Sequence, residues 1–466
     1  MTETQDLVVI GGGAGGFAAA MRAVQLGGKV TVIENAHYGG NCMNKACIPL
    51  TFLTTAAQVA AGARKARRFG IELGEPQVDM DALHDRKDLI VEGLRLGTEQ
   101  LMAEYGITLV EGRGKLLSPD RVAVTPVVGD QEPFEITTRN VVLATGSVPA
   151  QLPLEGADLP GVIGTEEAVE LREVPGRLAV IGSQPWDLEL AQVYHALGSQ
   201  VTLIETGDHL LHEADRDVAQ RIGRALHDAG ITVKTRTGVE AIRQGEDGAL
   251  VVVLAGERGE VVADTVLAAR RLSNSSGLGV REVGLQMEGA AVLVDERMAT
   301  SVPHIYAIGD LTAGEFWSHK ANSEGLVAAE NALGGESRMR YDILPHCAYT
   351  WPQAAWVGLT EEQAEAQGIG CRVGKVPTAI NPQAMILDQT AGQMKVIACQ
   401  KYGKIVGAHI VAPGAVDLIN AVAVAMLAEA TLQELTHFIP QHPSLGEALV
   451  DAAMDVEKRS IHMPKW

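Results

Sequence analysis

The chain has few cysteines, few aromatic residues and few basic residues, and each shortage argues against a class of protein. Five cysteines in 466 residues are too few for the disulfide framework of a secreted scaffold. Aromatic residues make up 4% while glycine occurs 51 times, which favours a turn-rich α/β protein over an aromatic-cored β-sandwich. Only 38 basic residues face 58 acidic ones, a formal charge of −20. That charge repels phosphate backbones and anionic lipids, so we expect neither nucleic acid nor a membrane as partner.

The N-terminal sequence also lacks the features of an export signal. MTETQD leads directly into the apolar LVVI, without a basic segment or a small-residue cleavage site. The most apolar later stretch, from Ala421 to Leu432, is shorter than the roughly 20 residues of a membrane span and contains Glu429. These features predict a cytoplasmic protein, and the length predicts about three or four domains.

An internal repeat predicts two βαβ units of one design. The segment Leu7–Glu34 aligns without a gap on Leu178–Glu205. In each copy an apolar strand ends at a glycine, a helix follows, and a second strand ends on a glutamate. Such a unit binds a dinucleotide, because the pyrophosphate lies at the helix N-terminus and the acid accepts the ribose hydroxyls. Two copies therefore suggest two dinucleotides.

The two copies differ in their glycines. The first has the complete GxGxxG pattern, which we interpret as a dinucleotide site rather than a turn that serves packing alone. Its site residues are Gly11, Gly13, Gly16 and Glu34. The second keeps Gly182 and Glu205 but has Gln184 and Asp187 at the other two glycine positions. Asp187 places a carboxylate where phosphates would bind, so this copy predicts the fold and leaves open whether NAD binds.

Cys42 and Cys47 lie close together in GGNCMNKACIPL, eight residues beyond Glu34. We interpret them as a redox-active pair; the alternatives are half of a zinc site or two inert thiols. A structural zinc site needs four ligands and no second cluster accompanies this pair, so we expect no metal. The remaining three cysteines are far apart in apolar surroundings and are interpreted as core residues: Cys347, Cys371 and Cys399.

Thiol chemistry needs a proton acceptor, and the C-terminal region offers one. His442 is followed by Pro443 and, five residues on, by Glu447. An imidazole can take a proton from a thiol, and a carboxylate on its other nitrogen fixes its orientation. Taken alone, such a pair is typical of a surface contact, but beside a cysteine pair it predicts a catalytic base.

These motifs resemble the two-dinucleotide flavoprotein disulfide reductases, and within them the dihydrolipoamide dehydrogenases. The resemblance covers essentially the whole chain and includes the cysteine motif, ATGS at 144–147, YAIGD at 306–310, YTWPQ at 349–353 and HPSLGE at 442–447. It implies FAD in the first site, NAD as likely acceptor, and a homodimer that acts on a lipoyl-bearing carrier protein or a small dithiol or disulfide.

The resemblance also implies individual roles. Cys42 would exchange with the substrate, Cys47 would contact the flavin, and His442, oriented by Glu447, would act as the base on the partner's cysteines. The residues implied near the FAD, beyond the first fingerprint, are Gly114, Thr145, Gly146, Ser147, Gly309, Asp310 and His319.

Three departures from the family pattern concern the reactive centre and the second site. Leu50 and Thr51 stand where the family has a lysine that pairs with a glutamate, although that glutamate is retained as Glu189. Lys45 is new between the cysteines. We hypothesise that it supplies positive charge to a thiolate or to Glu189, the alternative being an exposed helical lysine. Arg270 replaces a glycine expected near the nicotinamide.

The predicted fold is α/β, with two Rossmann-like dinucleotide-binding domains and a C-terminal α+β dimerisation domain. We place an FAD-binding domain at 1–147, an NAD-binding-like domain at 148–272, a segment completing the FAD domain at 273–343 and an interface domain at 344–466. The predicted function is a dihydrolipoamide dehydrogenase-like oxidoreductase. The alternatives are the same thiol–flavin chemistry with a different electron partner, or a flavoprotein subunit with reduced activity.

Overall fold

The computed structural model describes residues 3–129, 131–245, 247–256 and 258–464. The strands are β1 (Gln5–Ile10), β2 (Val30–Glu34), β3 (Thr108–Ser118), β4 (Arg121–Pro126), β5 (Phe134–Leu143), β6 (Ser147–Pro149), β7 (Val162–Ile163), β8 (Arg177–Ile181), β9 (Gln200–Ile204), β10 (Thr232–Lys234), β11 (Val239–Gln244), β12 (Leu250–Leu254), β13 (Glu260–Ala263), β14 (Thr265–Leu267), β15 (Arg271–Ser273), β16 (Met287–Glu288), β17 (Ala291–Val292), β18 (Ile305–Ala307), β19 (His346–Ala348), β20 (Gln353–Gly358), β21 (Cys371–Pro377), β22 (Gln393–Cys399) and β23 (Ile405–Ala412). The α-helices are α1 (Ala14–Gln25), α2 (Gly40–Asn44), α3 (Cys47–Lys65), α4 (Met80–Glu104), α5 (Thr165–Val169), α6 (Pro185–Leu197), α7 (Arg216–Ala229), α8 (Ser318–Ala332), α9 (Glu361–Ala366), α10 (Pro382–Ile386), α11 (Ala415–Leu427), α12 (Leu432–His437) and α13 (Gly446–Asp455).

The first of two compact units combines the N-terminal stretch up to Phe52 with Met80–Ala150 and Arg270–Arg340. Its centre is a parallel sheet in the order β3, β2, β1, β5, β18, and β3 and β5 continue into an antiparallel pairing with β4. The residues of β1 from Leu7 to Ile10 are all buried, which explains why this strand is an unbroken apolar run.

Glycines allow helices α1 and α8 to approach closely in this unit. A Cβ on Gly325 would lie 2.3 Å from the carbonyl oxygen of Gly15, and a Cβ on Gly15 would lie 2.8 Å from that of Ala321. Only glycine permits backbones this near to each other. The close contact fixes the loops at the N-termini of both helices relative to the parallel sheet.

The second unit comprises Leu53–Asp79, Gln151–Ala269 and the chain from Tyr341 onward. Its parallel sheet has the order β10, β9, β8, β14, β7, beside a three-stranded antiparallel sheet of β11, β12 and β13. Ile181 pairs with Ile204 in this sheet, as Ile10 pairs with Ile33 in the first unit. These are equivalent positions of the sequence repeat, so the predicted second βαβ unit is present with the same strand register.

The C-terminal part of the second unit is an antiparallel sheet in the order β19, β20, β23, β22, β21. Helices α11, α12 and α13 pack on it around a buried core that includes Val396, Ile410, Ile419 and Ala452. The predicted fold class, two parallel dinucleotide-binding sheets and an α+β C-terminal domain, is confirmed. The predicted bounds of the four segments stay a prediction.

One helical stretch, Gly40–Phe69, is long and apolar enough to cross a membrane by length and composition alone, with one third of its most apolar window buried. Core helices of enzymes meet the same criteria, so this feature assigns no location by itself. The stretch singled out in the sequence around Ala421 contributes to α11, which ends at Leu427 and is shorter.

Candidate active site

The loop between β1 and α1 has the geometry that a dinucleotide fingerprint requires. Gly11 has φ +107°, and a Cβ there would lie 2.3 Å from the carbonyl oxygen of Ala144. A Cβ on Gly16 would lie 1.9 Å from the carbonyl oxygen of Gly11, whereas a Cβ on Gly13 would meet nothing nearer than 3.6 Å. Within the described chain no side chain caps α1. The first N–H groups of this helix therefore remain for an anionic ligand.

Glu34 lies at the carboxyl end of β2, where the fingerprint places its acid. Its Oε2 accepts a hydrogen bond from the N–H of Gly12 at 2.7 Å. Its Oε1 accepts from the N–H groups of Asn35 and Ala36 at 2.9 and 2.8 Å. Three backbone donors thus hold a half-exposed carboxylate beside the glycine loop, in a position to accept ribose hydroxyls.

Several other predicted FAD residues form one hydrogen-bonded group in the same unit. Ser147 Oγ donates to Asp310 Oδ2 at 2.6 Å and accepts from Arg271 Nε at 2.8 Å. Thr145 Oγ1 donates to the carbonyl of Asn274 at 2.7 Å. Burial raises the pKa of Asp310, while the hydrogen bond from Ser147 and the charge of Arg271 oppose that shift. A buried carboxyl held this way can exchange hydrogen bonds with a polyhydroxyl chain.

Two glycines complete this group. Gly146 has φ +66° and its carbonyl accepts from the N–H of Asn274 at 2.8 Å. Gly114 lies in β3, where a Cβ would press to 3.0 Å from the side chain of Ile10. Gly114 thus lies against the end of β1, and Gly146 joins the segment after β5 to Asn274.

A buried ion pair that sequence reasoning missed supports Gly309. Lys320 Nζ lies 3.2 Å from Glu324 Oε1, with side chains 4% and 0% exposed. Glu324 Oε2 accepts the N–H of Gly309 at 2.7 Å, and Lys320 Nζ lies 3.5 Å from the Gly309 carbonyl. The pair therefore fixes the backbone that presents Asp310. The i,i+4 spacing of opposite charges on an otherwise buried helix face was the available signal.

The two cysteines lie at a helix junction, Cys42 in α2 and Cys47 at the first position of α3. Both are free thiols. The interaction of the two thiols lowers the pKa of Cys42 to about 7 and raises the pKa of Cys47. Ser318 Oγ lies 3.4 Å from Cys47 Sγ, a contact that the motifs did not indicate. The pair therefore reaches one thiolate near neutral pH, which is the reactive form.

His442 and Glu447 contact each other as the sequence predicts. His442 Nδ1 lies 2.9 Å from Glu447 Oε1, and Glu447 Oε2 accepts the N–H of Ser444 at 2.8 Å. The hydrogen bond with His442 contributes most to lowering the pKa of Glu447. The imidazole is 72% exposed. A carboxylate-oriented ring that faces outward has the arrangement of a general base.

The second dinucleotide loop differs from the first in what occupies the helix N-terminus. Asp187 is 1% exposed, and its Oδ2 accepts the N–H of Gln184 at 3.0 Å. A Cβ on Gly182, where φ is +123°, would lie 2.7 Å from the same oxygen. Burial raises the pKa of Asp187. A side-chain carboxyl thus uses a backbone donor that a pyrophosphate would use in an open fingerprint.

Glu205, the acid of the second copy, is held more tightly than Glu34. Its Oε2 accepts from Ser183 Oγ at 2.5 Å and its Oε1 from the N–H of Gly207 at 2.6 Å. His212 Nε2 lies 3.0 Å from Oε1. Burial raises the pKa of Glu205, but these donors outweigh it and the net shift is downward. The residue that the fingerprint assigns to a ribose is present and ionised.

Two family models cover most of the chain. Residues 5–333 match the pyridine nucleotide-disulphide oxidoreductase family, and residues 344–453 match its dimerisation domain. The chain belongs to this family.

Relatives of known activity have a similar length. The mitochondrial dihydrolipoyl dehydrogenase of Dictyostelium discoideum is 36% identical over 99% of this chain and 96% of that protein. The dihydrolipoyl dehydrogenase of Thermus scotoductus is 36% identical over 99% of both. Among solved structures, LpdA from Mycobacterium tuberculosis has a TM-score of 0.88 at 26% identity, covering 96% of this chain and 98% of that one.

Family membership confirms the predicted enzyme class. The protein is a dihydrolipoyl dehydrogenase-like flavoprotein disulfide oxidoreductase, its family uses FAD and NAD, and it carries a dimerisation domain. The first glycine loop fits FAD in its open backbone and in its acid, whereas the second has the carboxyl of Asp187 in the phosphate position. The relatives include mitochondrial proteins, so membership leaves the cellular compartment open.

The remaining predicted residues occupy varied positions. Glu189 is buried in α6, and its Oε1 accepts the N–H of Tyr349 at 2.8 Å. Lys45 is exposed at the end of α2, and Arg270 is exposed before β15. His319 is exposed on α8, with its ring 5.6 Å from that of Trp317. The proposed electrostatic role of Lys45 stays a hypothesis.

Proposed function

We propose that the protein oxidises a dihydrolipoyl group carried by a partner protein, or a similar small dithiol, through Cys42 and Cys47. The observation that carries this proposal is the pair of free thiols at the junction of α2 and α3, which lies in the same compact unit as a complete dinucleotide loop. Dihydrolipoyl dehydrogenases of matching length supply the substrate class.

The cysteines carry out two successive thiol–disulfide exchanges. Starting from the Cys42–Cys47 disulfide, a substrate thiolate attacks Cys42 Sγ, the S–S bond breaks, and Cys47 leaves as a thiolate. The second substrate thiol then attacks the substrate sulfur of the mixed disulfide. This step forms the substrate disulfide and releases Cys42 as a thiolate. Bound FAD would supply the two-electron acceptor that lets the Cys42–Cys47 disulfide form again, with NAD as the final acceptor.

Each predicted site residue of the glycine loop and its surroundings has a proposed part in binding FAD. The glycine loop Gly11–Gly16 would receive the pyrophosphate, Glu34 the adenosine ribose, and Asp310 the ribitol chain. Gly114, Thr145–Ser147 and Gly309 would line the nucleotide, and His319 would lie on its exposed side. In the second unit, Gly182 and Glu205 would contribute to the NAD site, and Glu189 would contribute to cofactor binding.

His442 would manage the protons of the exchange. It accepts a proton from the attacking substrate thiol, while Glu447 holds the ring through Nδ1 and stabilises the imidazolium. We propose that the protein is a homodimer in which the partner subunit's His442 serves the cysteines of each chain, following the family pattern. We also propose a cytoplasmic location.

Anaerobic mixing with dihydrolipoamide tests the proposal. The flavin absorbance should fall on addition of the dithiol and return on addition of NAD. Bleaching without recovery by NAD would select the variant with a different electron partner. An unchanged spectrum would contradict the proposed function.

The role of His442 has a test of its own. His442→Gln should slow dithiol-driven flavin reduction by about 10²- to 10⁴-fold, the usual worth of a general base, and leave reduction by NADH unchanged. His437→Gln, at an exposed histidine that ends α12, is the matched control and should leave both rates unchanged.

A further inference from the structure

Two cysteines outside the active site lie directly opposite each other in the C-terminal sheet. Cys371 begins β21 and Cys399 ends β22, and the register of these antiparallel strands pairs the two residues. Because 27 positions intervene between them and both stand in apolar surroundings, the sequence predicts two separate core residues. Strand pairing removes that separation, and both side chains are partly exposed.

The hydrogen-bond pattern shows which kind of cross-strand pair this is. The N–H of Gln400 donates to the carbonyl of Gly370 at 2.8 Å, one position outside the cysteine pair. Hydrogen-bonded and non-hydrogen-bonded pairs alternate along antiparallel strands, so the cysteines occupy a non-hydrogen-bonded pair. Cα atoms of such pairs lie about 4.5 Å apart, and disulfides span about 4.4–6.8 Å between Cα atoms. The backbone therefore permits a disulfide here without rearrangement.

The two thiols have different surroundings. The nearby backbone N–H groups of Tyr402 and Lys401 favour the thiolate of Cys399 and lower its pKa. Burial and the neighbouring Cys399 raise the pKa of Cys371, whose Sγ–H donates to the carbonyl of Ile369 at 3.3 Å. Cys399 is consequently the better nucleophile, and Cys371 stays protonated beside it.

We propose that Cys371 and Cys399 form a second dithiol–disulfide pair, which a hydroperoxide oxidises. The Cys399 thiolate attacks one oxygen of hydrogen peroxide, the O–O bond breaks, and hydroxide leaves, which gives a sulfenic acid. The Cys371 sulfur then attacks the Cys399 sulfur, the S–S bond forms, and the sulfenic oxygen leaves as water with the thiol proton. In sum, two thiols and one peroxide give one disulfide and two waters.

The position of the pair gives the disulfide a structural consequence. β21 is the edge strand of its sheet, joined to the rest through β22 alone. It also supports α13, because the N–H of Lys375 donates to Asp455 at 2.9 Å and a Cβ on Gly374 would lie 2.0 Å from the carbonyl of Ala452. A covalent link would fasten this edge strand beneath the helix that carries Glu447.

The test is peptide mapping of the flavin-loaded enzyme under non-reducing conditions after treatment with a small excess of hydrogen peroxide. We expect a cross-linked peptide containing Cys371 and Cys399, about 2 Da lighter than the two thiols together because two hydrogens are lost, and reversed by dithiothreitol. Cys371→Ser should abolish the cross-link and leave Cys399 to oxidise further to the sulfinic acid.

Cys347 supplies the matched control, because it pairs with Ala355 and not with a cysteine. Cys347→Ser should keep the Cys371–Cys399 cross-link at wild-type yield. Recovery of Cys371 and Cys399 as free thiols after peroxide has oxidised Cys42 and Cys47 in the same sample would overturn the proposal. This outcome is independent of the dithiol substrate and of NAD, so it is distinguishable from failure of the proposed function.

Discussion

The two βαβ units share a strand register and differ at the loop that meets a ligand. Ile10 pairs with Ile33 in one and Ile181 with Ile204 in the other, at equivalent positions of the repeat. Apolar strands and a following helix are therefore enough to build the unit twice. The side chains at two loop positions decide what the helix N-terminus can bind.

The two copies differ in whether a side chain already accepts a hydrogen bond from the N–H groups at the helix N-terminus. In the first copy Gly16 has no side chain that would press on the carbonyl of Gly11, and no described side chain caps the helix. In the second, Asp187 takes the equivalent position and accepts the N–H of Gln184. Because a side-chain oxygen that accepts an N-terminal N–H caps a helix, the second copy has gained an internal cap at the expense of an open anion site.

The largest expected effect is a difference in flavin content between variants at the equivalent positions 16 and 187. Gly16→Ala would place a methyl group 1.9 Å from the Gly11 carbonyl, which the loop cannot accommodate without moving. We expect the purified variant to lose at least about nine-tenths of its bound flavin, measured by absorbance, which corresponds to over about 1.4 kcal/mol of binding free energy. Asp187→Ala should retain wild-type flavin. Equal flavin content in both variants would contradict the comparison.

A smaller effect is expected when the second copy is made to resemble the first. Asp187→Gly removes the carboxyl from the N-terminus of α6 and frees the N–H of Gln184. We expect NADH to bind about tenfold more tightly in a fluorescence titration, because an anion at a helix N-terminus is worth about 1–2 kcal/mol in a partly buried site. Asp158→Gly, at an exposed loop acid, should change nothing. Weaker NADH binding in Asp187→Gly would reverse our reading of this loop.

The stability cost of the buried acid should appear in its pH dependence. The folded pKa of Asp187 is raised, so the folded state holds this proton more tightly than the unfolded chain, and stability falls as pH rises above about 3.9 toward the folded value. Asp187→Asn cannot ionise. The melting temperature of Asp187→Asn should equal that of the wild type at pH 4 and exceed it by a few degrees at pH 8. This difference corresponds to about 1–3 kcal/mol in the free energy of unfolding.

Asp158→Asn is the control for this pH series, since that acid is exposed and should shift the melting temperature equally at both pH values. A constant difference between Asp187→Asn and wild type across the range would show that the buried carboxyl does not titrate between the two states.

The sequence predicted most of the fold and the local parts of the site, because those depend on short-range patterns. The glycine loop, the cysteine pair and the contact of His442 with Glu447 each involve residues that lie only a few positions apart in the sequence. The contact between Cys47 and Ser318 joins residues far apart in the chain. Such a contact depends on how α3 and α8 pack, which no motif encodes.

Register was the other missing information. A shift of one residue between β21 and β22 would remove Cys371 from Cys399, and nothing in the spacing of the two cysteines specifies that pairing. For the support of Gly309 by Lys320 and Glu324, the i,i+4 spacing of the two charges indicates the ion pair, but the sequence does not show that this face of the helix is buried.

The smallest expected effect concerns Glu34 and Glu205, the acids at the ends of the two βαβ units. Backbone N–H groups alone hold Glu34 among the contacts described, whereas Glu205 also contacts His212, whose ring is 44% exposed. An exposed pair of this kind is worth about 0–1 kcal/mol. His212→Ala should therefore change NADH affinity by less than about fivefold. His227→Ala, at an exposed histidine of α7, is the control, and a tenfold or greater loss of affinity in His212→Ala alone would mean that the imidazole itself contacts the dinucleotide.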